Sequence, residues 1–379
     1  MLAAPSFGKV PQAPLATVVG TGFDERTVIT MDSLAAGIPH GVHLTGAWLR
    51  TFAEECMPPN AEPLLLLARD EFSGAVVGAL PLRIEHVRGT RFWTHRRLVP
   101  LARGPSDFFD VLAAPGWEER VCEAFADWLH QERAGWDLLD LDWLPANSSR
   151  WIYFREALAR RGFRVRVAST QSFYVVDTGA DFSTLEQNCY RKSLKDLRRR
   201  LKRMGEQYVT PRLAIVTREI IVLLPSLLCL YAKRRQEKGQ NDYFGHPAHR
   251  RFFERVIAAY EERGWAEAAV LEGPDGRLWA GAIGWLLGGA WYLYLLVMDS
   301  EFGAYAPGNM LVYELVKRCC EDPQIREFNF MRGEAPYKAQ FATGKQLYHT
   351  VRVENPWSVR LKLTRAATRL VAVRDAILR

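Results

Sequence analysis

The chain has 379 residues, 48% of them hydrophobic and 25% charged, which is enough for two packed domains and excludes a largely disordered protein. Its net charge of +7 is modest for that length but uneven, with RKSLKDLRRRLKRMG at 191–205 and VRLKLTRAATRLVAVRDAILR at 359–379 carrying much of the excess, so polyanions would touch there. Six cysteines at 56, 122, 189, 229, 319 and 320 form no C-x-x-C pair, which argues against a cysteine metal site and for reduced, structural thiols.

The start, MLAAPSFGKVPQAP, has one lysine and lacks the apolar core of a secretory signal, so a cytoplasmic protein is expected, with residues 1–24 a flexible N-terminus. From 25 to 178 the pattern predicts a helix near His43 to Met57, then strands PLLLLARD and GAVVGALPLRI joined through Glu71 to Gly74. Next come a strand near RRLVPLA, the helix WEERVCEAFADWLHQERAG, the strand WDLLDLDWL, the helix SSRWIYFREALARRG and a strand at SFYVVD.

The stretch 179–355 repeats this order. A basic helix is followed by strand RLAIVT, helices around IVLLPSLLCLYAKRRQ and HRRFFERVIAAYEERG, and strands AEAAVLEG, WAGAIGWLL and AWYLYLLVM. The helix GNMLVYELVKRC, strand EFNFM, short helix PYKAQFA and strand QLYHTVRV complete it. The fold class expected is α/β (α+β): a duplicated unit, each copy a mixed, mostly antiparallel sheet flanked by helices.

Leu278 to Met298 runs without a charge and is about as long as a membrane-spanning helix. Gly288-Gly289 divides it into two short runs rich in aromatic and branched residues, however, which predicts a buried hairpin instead. In the basic helix, Leu194, Leu197, Leu201 and Met204 fall on one face and the arginines wrap the other. Over 356–379, Val359, Leu363, Ala366, Leu370 and Val373 form an apolar stripe flanked by Arg360, Arg365, Arg369 and Arg374. That pattern suits either a helix lying on an anionic membrane surface or one docked on its own domain.

The most informative stretch runs from Gly303 to Gln340, where small residues, a helix start and a cluster of ionisable side chains lie between two apolar strands. A strand ending at Asp299, a glycine-bearing loop, a helix, and a strand ending in Met331-Arg332-Gly333-Glu334 before Pro336-Tyr337-Lys338 resemble the C-terminal half of CelD-like acyltransferases. These belong to the GNAT superfamily and are related to the FemAB peptidyltransferases. The basic helix closed by Gly205, Lys233-Arg234-Arg235 followed by Lys238-Gly239, and Pro307-Gly308 before the helix add to the resemblance. Arg103-Gly104-Pro105-Ser106-Asp107 is similar to a turn of FemAB relatives. The resemblance spans roughly 60 to 352 and implies two tandem GNAT folds: a degenerate, acceptor-side domain at 25–178 and an acyltransferase domain at 179–355 that holds the acyl donor.

Residue types agree with that implication. A helix N-terminus offers unpaired amides and the positive end of a dipole, so Gly308, Asn309 and Met310 are placed to meet the pyrophosphate of acyl-CoA, although Pro307 removes one donor. Asp299 either orients that loop or caps the next segment. Acyl transfer to an amine needs a base, donors for the carbonyl oxygen and an acid for the leaving thiolate. Glu334 is the candidate base or anchor for the amine, and Tyr337 the candidate acid, by analogy with a tyrosine of many GNAT enzymes. Arg332 and Lys338 are candidates for phosphates or a substrate carboxylate. Asp107, under the resemblance, reaches between the halves to hold the acceptor, and Arg235 and Lys238 join it as substrate-binding candidates. Trp285, Trp291, Tyr292 and Tyr294 line an apolar tunnel or simply fill the core.

No dinucleotide fingerprint, phosphate-binding GxxxxGK[ST] loop or G-x-S-x-G elbow occurs, and His246 and His249 lack a third metal ligand, so no metal is expected. Three functions remain: transfer from acyl-CoA to an amine or amino sugar, in polysaccharide or envelope synthesis; FemAB-like aminoacyl transfer from charged tRNA; or a non-catalytic protein that binds a membrane surface or polyanion.

Overall fold

Residues 14–20, 22–88, 94–188, 195–197, 199–200, 202–203, 211–273, 275–364 and 366 are described by the computed structural model. The first half contains β1 (Leu15–Gly20), α1 (Glu25–Ala36), α2 (Gly46–Glu55), β2 (Ala61–Asp70), β3 (Val76–Arg88), β4 (Thr94–Pro100), the short β5 (Leu112–Ala113), α3 (Glu118–Gln131), β6 (Leu138–Pro145), α4 (Ser149–Arg160) and β7 (Arg164–Asp177). The second contains α5 (Phe182–Asn188), β8 (Arg212–Val216), α6 (Ile220–Glu237), α7 (Pro247–Glu262), β9 (Ala266–Glu272), β10 (Leu278–Leu287), β11 (Ala290–Met298), α8 (Pro307–Glu321), β12 (Glu327–Asn329), α9 (Pro336–Phe341) and β13 (Gly344–Glu354).

The apolar run 278–298 is the hairpin β10–β11, turned by Gly288 and Gly289 at φ 62° and 77°, conformations open to glycine at little cost. Among the described residues no helix is long and apolar enough to cross a membrane. Four elements were not expected: β1, α1, the two-residue β5 and α5. The segment read as a flexible N-terminus contains β1, which pairs antiparallel with β2 from Leu15↔Asp70 to Gly20↔Leu65. Helix α1 follows it, started by the Asp24 side chain, which accepts the Thr27 amide at 2.7 Å.

One sheet runs through both halves in the order β1-β2-β3-β4-β6-β13-β7-β12-β11-β10-β9-β8, with β5 on β3. Its pairings are antiparallel except β4 with β6 and β11 with β12, one short parallel junction in each half. The repeated order of elements and these matching junctions make the halves a tandem of one α/β unit. β13, late in the chain, lies between β6 and β7 of the first half and pairs with both.

The halves also share a core. On one face of the sheet Trp48 and Phe52 of α2 meet Phe252 of α7 with ring centroids 5.0 and 6.1 Å apart, and Trp285 and Tyr294 close around Trp48. Edge-to-face pairs of this kind add about 0.5–1.5 kcal/mol each to the burial itself. Thr45 and the Tyr260 hydroxyl bridge the same contact at 2.8 Å, and Arg251 and Arg255 pair with Glu55 at its rim. A second core, on the other face, packs α8 against Trp279, Trp291, Phe328 and Phe330.

Of the two basic segments, 195–197, 199–200 and 202–203 are helical, with Leu197 buried and Arg199, Lys202 and Arg203 exposed. Leu194, Leu201, Met204 and Gly205 lie outside the described residues. In the C-terminal segment 359–364 is helical; Leu361 is buried, whereas Val359 and Leu363 of the expected apolar stripe are 64% and 44% exposed. Arg365, Arg369, Leu370, Val373 and Arg374 lie outside the described residues.

Candidate active site

Strand β11 pairs with β12 only from Ala290 to Tyr292, yet it continues to Met298 beside β10. The partner leaves because Asn329, fully buried, accepts the Met331 amide at 2.8 Å, and Met331 and Gly333 then take φ of 57° and 101°. Phe330 stays bonded to Tyr174 of β7. A wedge therefore opens between 293–298 of β11 and the segment 330–338, in the middle of the sheet.

On one side of the wedge stands a cluster drawn from both halves. Asp107, 9% exposed, sits at the end of the turn that begins at Arg103, and its backbone amide donates to His43 Nδ1 at 2.8 Å. Its carboxylate takes the Arg332 amide at 3.2 Å and lies 3.2 Å from the Arg332 guanidinium. Burial raises the Asp107 pKa, and the charge of Arg332 opposes that rise. Arg332 is further held over the Trp143 ring at 5.4 Å and against the Gly104 carbonyl. Tyr294 faces the same cluster: Asp107, Arg332, Tyr243 and Tyr231 are its ionisable neighbours, and burial holds its phenol protonated.

Glu334 is exposed and accepts the Ser172 hydroxyl at 2.9 Å, so its carboxylate stays in water beside β7. Tyr337, near the start of α9, is half-buried with its ring edge-on to Phe330; burial pushes its phenol up to about 12 and keeps it a proton donor at neutral pH.

On the opposite side, Ala306, Asn309, Gln340 and Phe341 border a cavity of about 490 Å³ together with Asp196, Leu197 and Arg200. It lies at the N-terminus of α8, where a donor phosphate would seek amides. Tyr337 stands three and four residues before Gln340 and Phe341, on the same side of α9.

Several sequence candidates have other work. Lys338 is buried, and its ammonium donates to the carbonyls of Phe330, Met331 and Arg332 at 2.8, 3.4 and 2.7 Å; it fixes the bend after β12 rather than facing phosphate. Burial pushes its pKa down to about 8. Asp299 takes the capping alternative: it accepts the Glu301 amide and pairs with Lys233 and Arg277. The amides of Asn309 and Met310 both donate to the Ala306 carbonyl, and the Met310 side chain is in the core, so of the three proposed donors Gly308 alone keeps its amide clear of that bond. Arg235 donates to Gln240 and to the Asn241 carbonyl, and Lys238 ends α6, so both shape that turn.

His43, Trp143, Tyr231 and Tyr243 were not read as site residues. Each is an ordinary core or surface residue in its own segment; the folding of the first half brings His43 and Trp143 to the cluster, and the packing of the second half against it brings Tyr231 and Tyr243. Tyr294 carried the one usable signal, as part of a strand unusually rich in aromatic side chains.

Residues 190–339 match the family profile described as "Acetyltransferase (GNAT) domain". No curated protein matches the chain. Among solved structures, the chain is similar to FemX, with a TM-score of 0.61 and 12% identity over 90% of this chain and 98% of that one. It is also similar to the C-terminal domain of a putative lysylphosphatidylglycerol synthetase from Agrobacterium fabrum, TM-score 0.52 and 13% identity over 90% and 95% of the two chains. L-PGS from Bacillus licheniformis compares at 0.52 and 12%, over 91% and 98%. At such identities the likeness is one of fold.

Proposed function

We propose, from the premise that residues 190–339 are a GNAT acetyltransferase domain, that the chain is an N-acyltransferase moving an acyl group from acyl-CoA to an amine or amino sugar of a polysaccharide or envelope precursor. The observation that carries this reading is the wedge where β12 leaves β11, with a cavity at the α8 N-terminus on one side and the Asp107–Arg332 cluster on the other. The donor's phosphate would lie by the Gly308 amide and Arg200, and its thioester would enter the wedge. The amine would approach from Asp107 and Tyr294.

The amine nitrogen attacks the thioester carbonyl, the N–C bond forms and the C–S bond breaks. Glu334 takes the ammonium proton, by water where needed, and Tyr337 supplies one to the departing thiolate, so the products are the amide and the free thiol. A positioned base is worth about 100-fold to 10,000-fold and an aligned pair of reactants more. A cytoplasmic location follows from the donor, and contact of the C-terminal helix with a membrane surface is part of the same proposal.

One observation favours a second reading. With Pro307 lacking an N–H and two amides bound to Ala306, the α8 terminus is a sparse phosphate cradle, while Arg199, Lys202 and Arg203 are exposed on the helical segment whose Arg200 donates to the Ala304 carbonyl at 2.7 Å. A charged tRNA held by these cations would serve as aminoacyl donor. The test is free-thiol release from acetyl-CoA and a long-chain acyl-CoA with glucosamine as acceptor, beside transfer from an aminoacylated tRNA pool. Thiol release that requires the amine supports the first reading, transfer from tRNA alone the second, and neither would leave a scaffold that binds without chemistry.

A further inference from the structure

Trp143 stands in β6 where the strand breaks its own alternation. Leu144 pairs with His349 and Leu141 with Val351, so Asp142 and Trp143 together face the single residue Thr350 of β13. Such a bulge carries one extra residue and re-aims the side chains beside it. Leu139, Leu141 and then Leu144 are fully buried in the core, while Trp143 is only partly covered. Trp143 itself has φ 61°, and it is the bulkiest non-glycine residue with positive φ among those described. A bulky side chain keeps that conformation only where its surroundings impose it, and such positions cluster at functional sites.

The bulge ties both members of the Asp107–Arg332 pair to one strand. Asp142 pairs with Arg103 at 2.5 Å, at the start of the turn that ends in Asp107. The Trp143 carbonyl accepts the Phe109 amide at 3.2 Å, two residues past Asp107. The Arg332 guanidinium lies over the Trp143 ring, 5.4 Å from its centroid, and Phe173 backs that ring with centroids 5.6 Å apart. Phe173 is fully buried and stacked on Tyr348 at 4.3 Å, so the platform has a packed wall behind it.

Arg332 needs such a hold. Its side chain is 41% exposed, and an ion pair that open to water fixes a long side chain weakly. Its bond to the Gly104 carbonyl is long, at 3.4 Å. An aromatic face adds an attraction to the guanidinium and a flat surface that restricts where it can lie.

We propose that Trp143 is a positioning residue of the acceptor site: the bulge turns its ring out of the core to hold the Arg332 guanidinium against Asp107, and so keeps the pair in the arrangement that the amine meets. The acceptor half of this inference rests on the acyl-transfer reading above; the hold on Arg332 rests on the contacts alone.

The test uses Trp143→Leu, which removes the aromatic face, and Trp143→Phe, which keeps one. Steady-state kinetics with both substrates varied should show the KM for glucosamine rising about threefold to thirtyfold in Trp143→Leu, with kcat and the KM for the acyl donor within about twofold of wild type. Trp143→Phe should recover most of the loss. Trp143→Leu added to Asp107→Asn should raise that KM less than it does alone, because both act on one pair. A second readout needs no chemistry at the wedge: the rate at which phenylglyoxal modifies Arg332, followed by peptide mass spectrometry, should rise in Trp143→Leu and stay near wild type in Trp143→Phe. An unchanged modification rate overturns the proposal whatever the kinetics. An unchanged glucosamine KM, full additivity with Asp107→Asn, or equal losses for both substrates with a lowered melting temperature overturns it too, the last by assigning Trp143 to the fold alone. A wild type that transfers to no amine overturns the acceptor half together with the acyl-transfer reading, and the modification rate then decides the hold on Arg332.

Discussion

Asp107 and Arg332, from opposite halves of the chain, are joined twice: one carboxylate oxygen takes the Arg332 amide and the other lies 3.2 Å from its guanidinium. Asp107→Asn keeps the shape and removes the charge. Because burial already disfavours that charge, stability should change by no more than about 1–2 kcal/mol. The KM for the amine should rise and kcat/KM fall by about tenfold to a hundredfold. Steady-state kinetics with both substrates varied would show it; an unchanged KM for the amine would remove Asp107 from the acceptor site.

Glu334→Gln should lower kcat by about 100-fold or more, with little change in melting temperature because the side chain is in water. Tyr337→Phe should cost less with an acyl donor whose leaving thiol is more acidic. If both variants stay within a few-fold of wild type, the base and acid lie elsewhere.

Gly308→Trp should abolish donor binding, with the melting temperature followed to separate that loss from unfolding. Gly308 is buried, and an added Cβ would already touch Met298, its sulfur at 3.5 Å and its Cβ at 4.0 Å, so an indole there must push the α8 terminus away from β11. Calorimetry with coenzyme A, acetyl-CoA and a long-chain acyl-CoA reads the outcome, and micromolar binding that survives the variant would place the donor away from this cavity.

Acid should weaken the junction between the halves. Burial pushes His40 down to about 4 and His43 well below its ordinary value, so the unfolded chain binds more protons than the folded one between about 6.5 and 4. Stability is thus full above about pH 6.5 and is lost as pH falls through 4, by up to about 3 kcal/mol from His40 alone. Urea midpoints measured from pH 7 to 4.5 should fall more steeply for wild type than for His40→Gln; parallel curves would contradict this.

The elements were legible where local pattern decides them. Gly288-Gly289 between two aromatic runs marked the hairpin, and Pro307-Gly308 marked the start of α8. Helix α1 was hidden because ERTVITMDSLAA is rich in β-branched residues, which favour strands, and only Asp24 signalled its start. Strand β1 was hidden by a short, turn-rich neighbourhood. The site was legible as a list of residue types near 332–338 and at 107, but the roles depend on packing. Nothing in Pro-Tyr-Lys says that the lysine will turn inward onto three carbonyls, and nothing in GVHLTG says that His43 will hold the amide of Asp107.

The position of β13 bears on how the chain comes to be folded. Residues 344–354 fill the gap between β6 and β7, two strands made some two hundred residues earlier. During synthesis those two strands wait with open backbone edges until residues 344–354 emerge, so the first half cannot close its sheet ahead of the second, and contacts so distant in sequence form slowly. A chain stopped before Gly344 would lack the middle of its sheet and should aggregate or be degraded rather than persist as an intact first half.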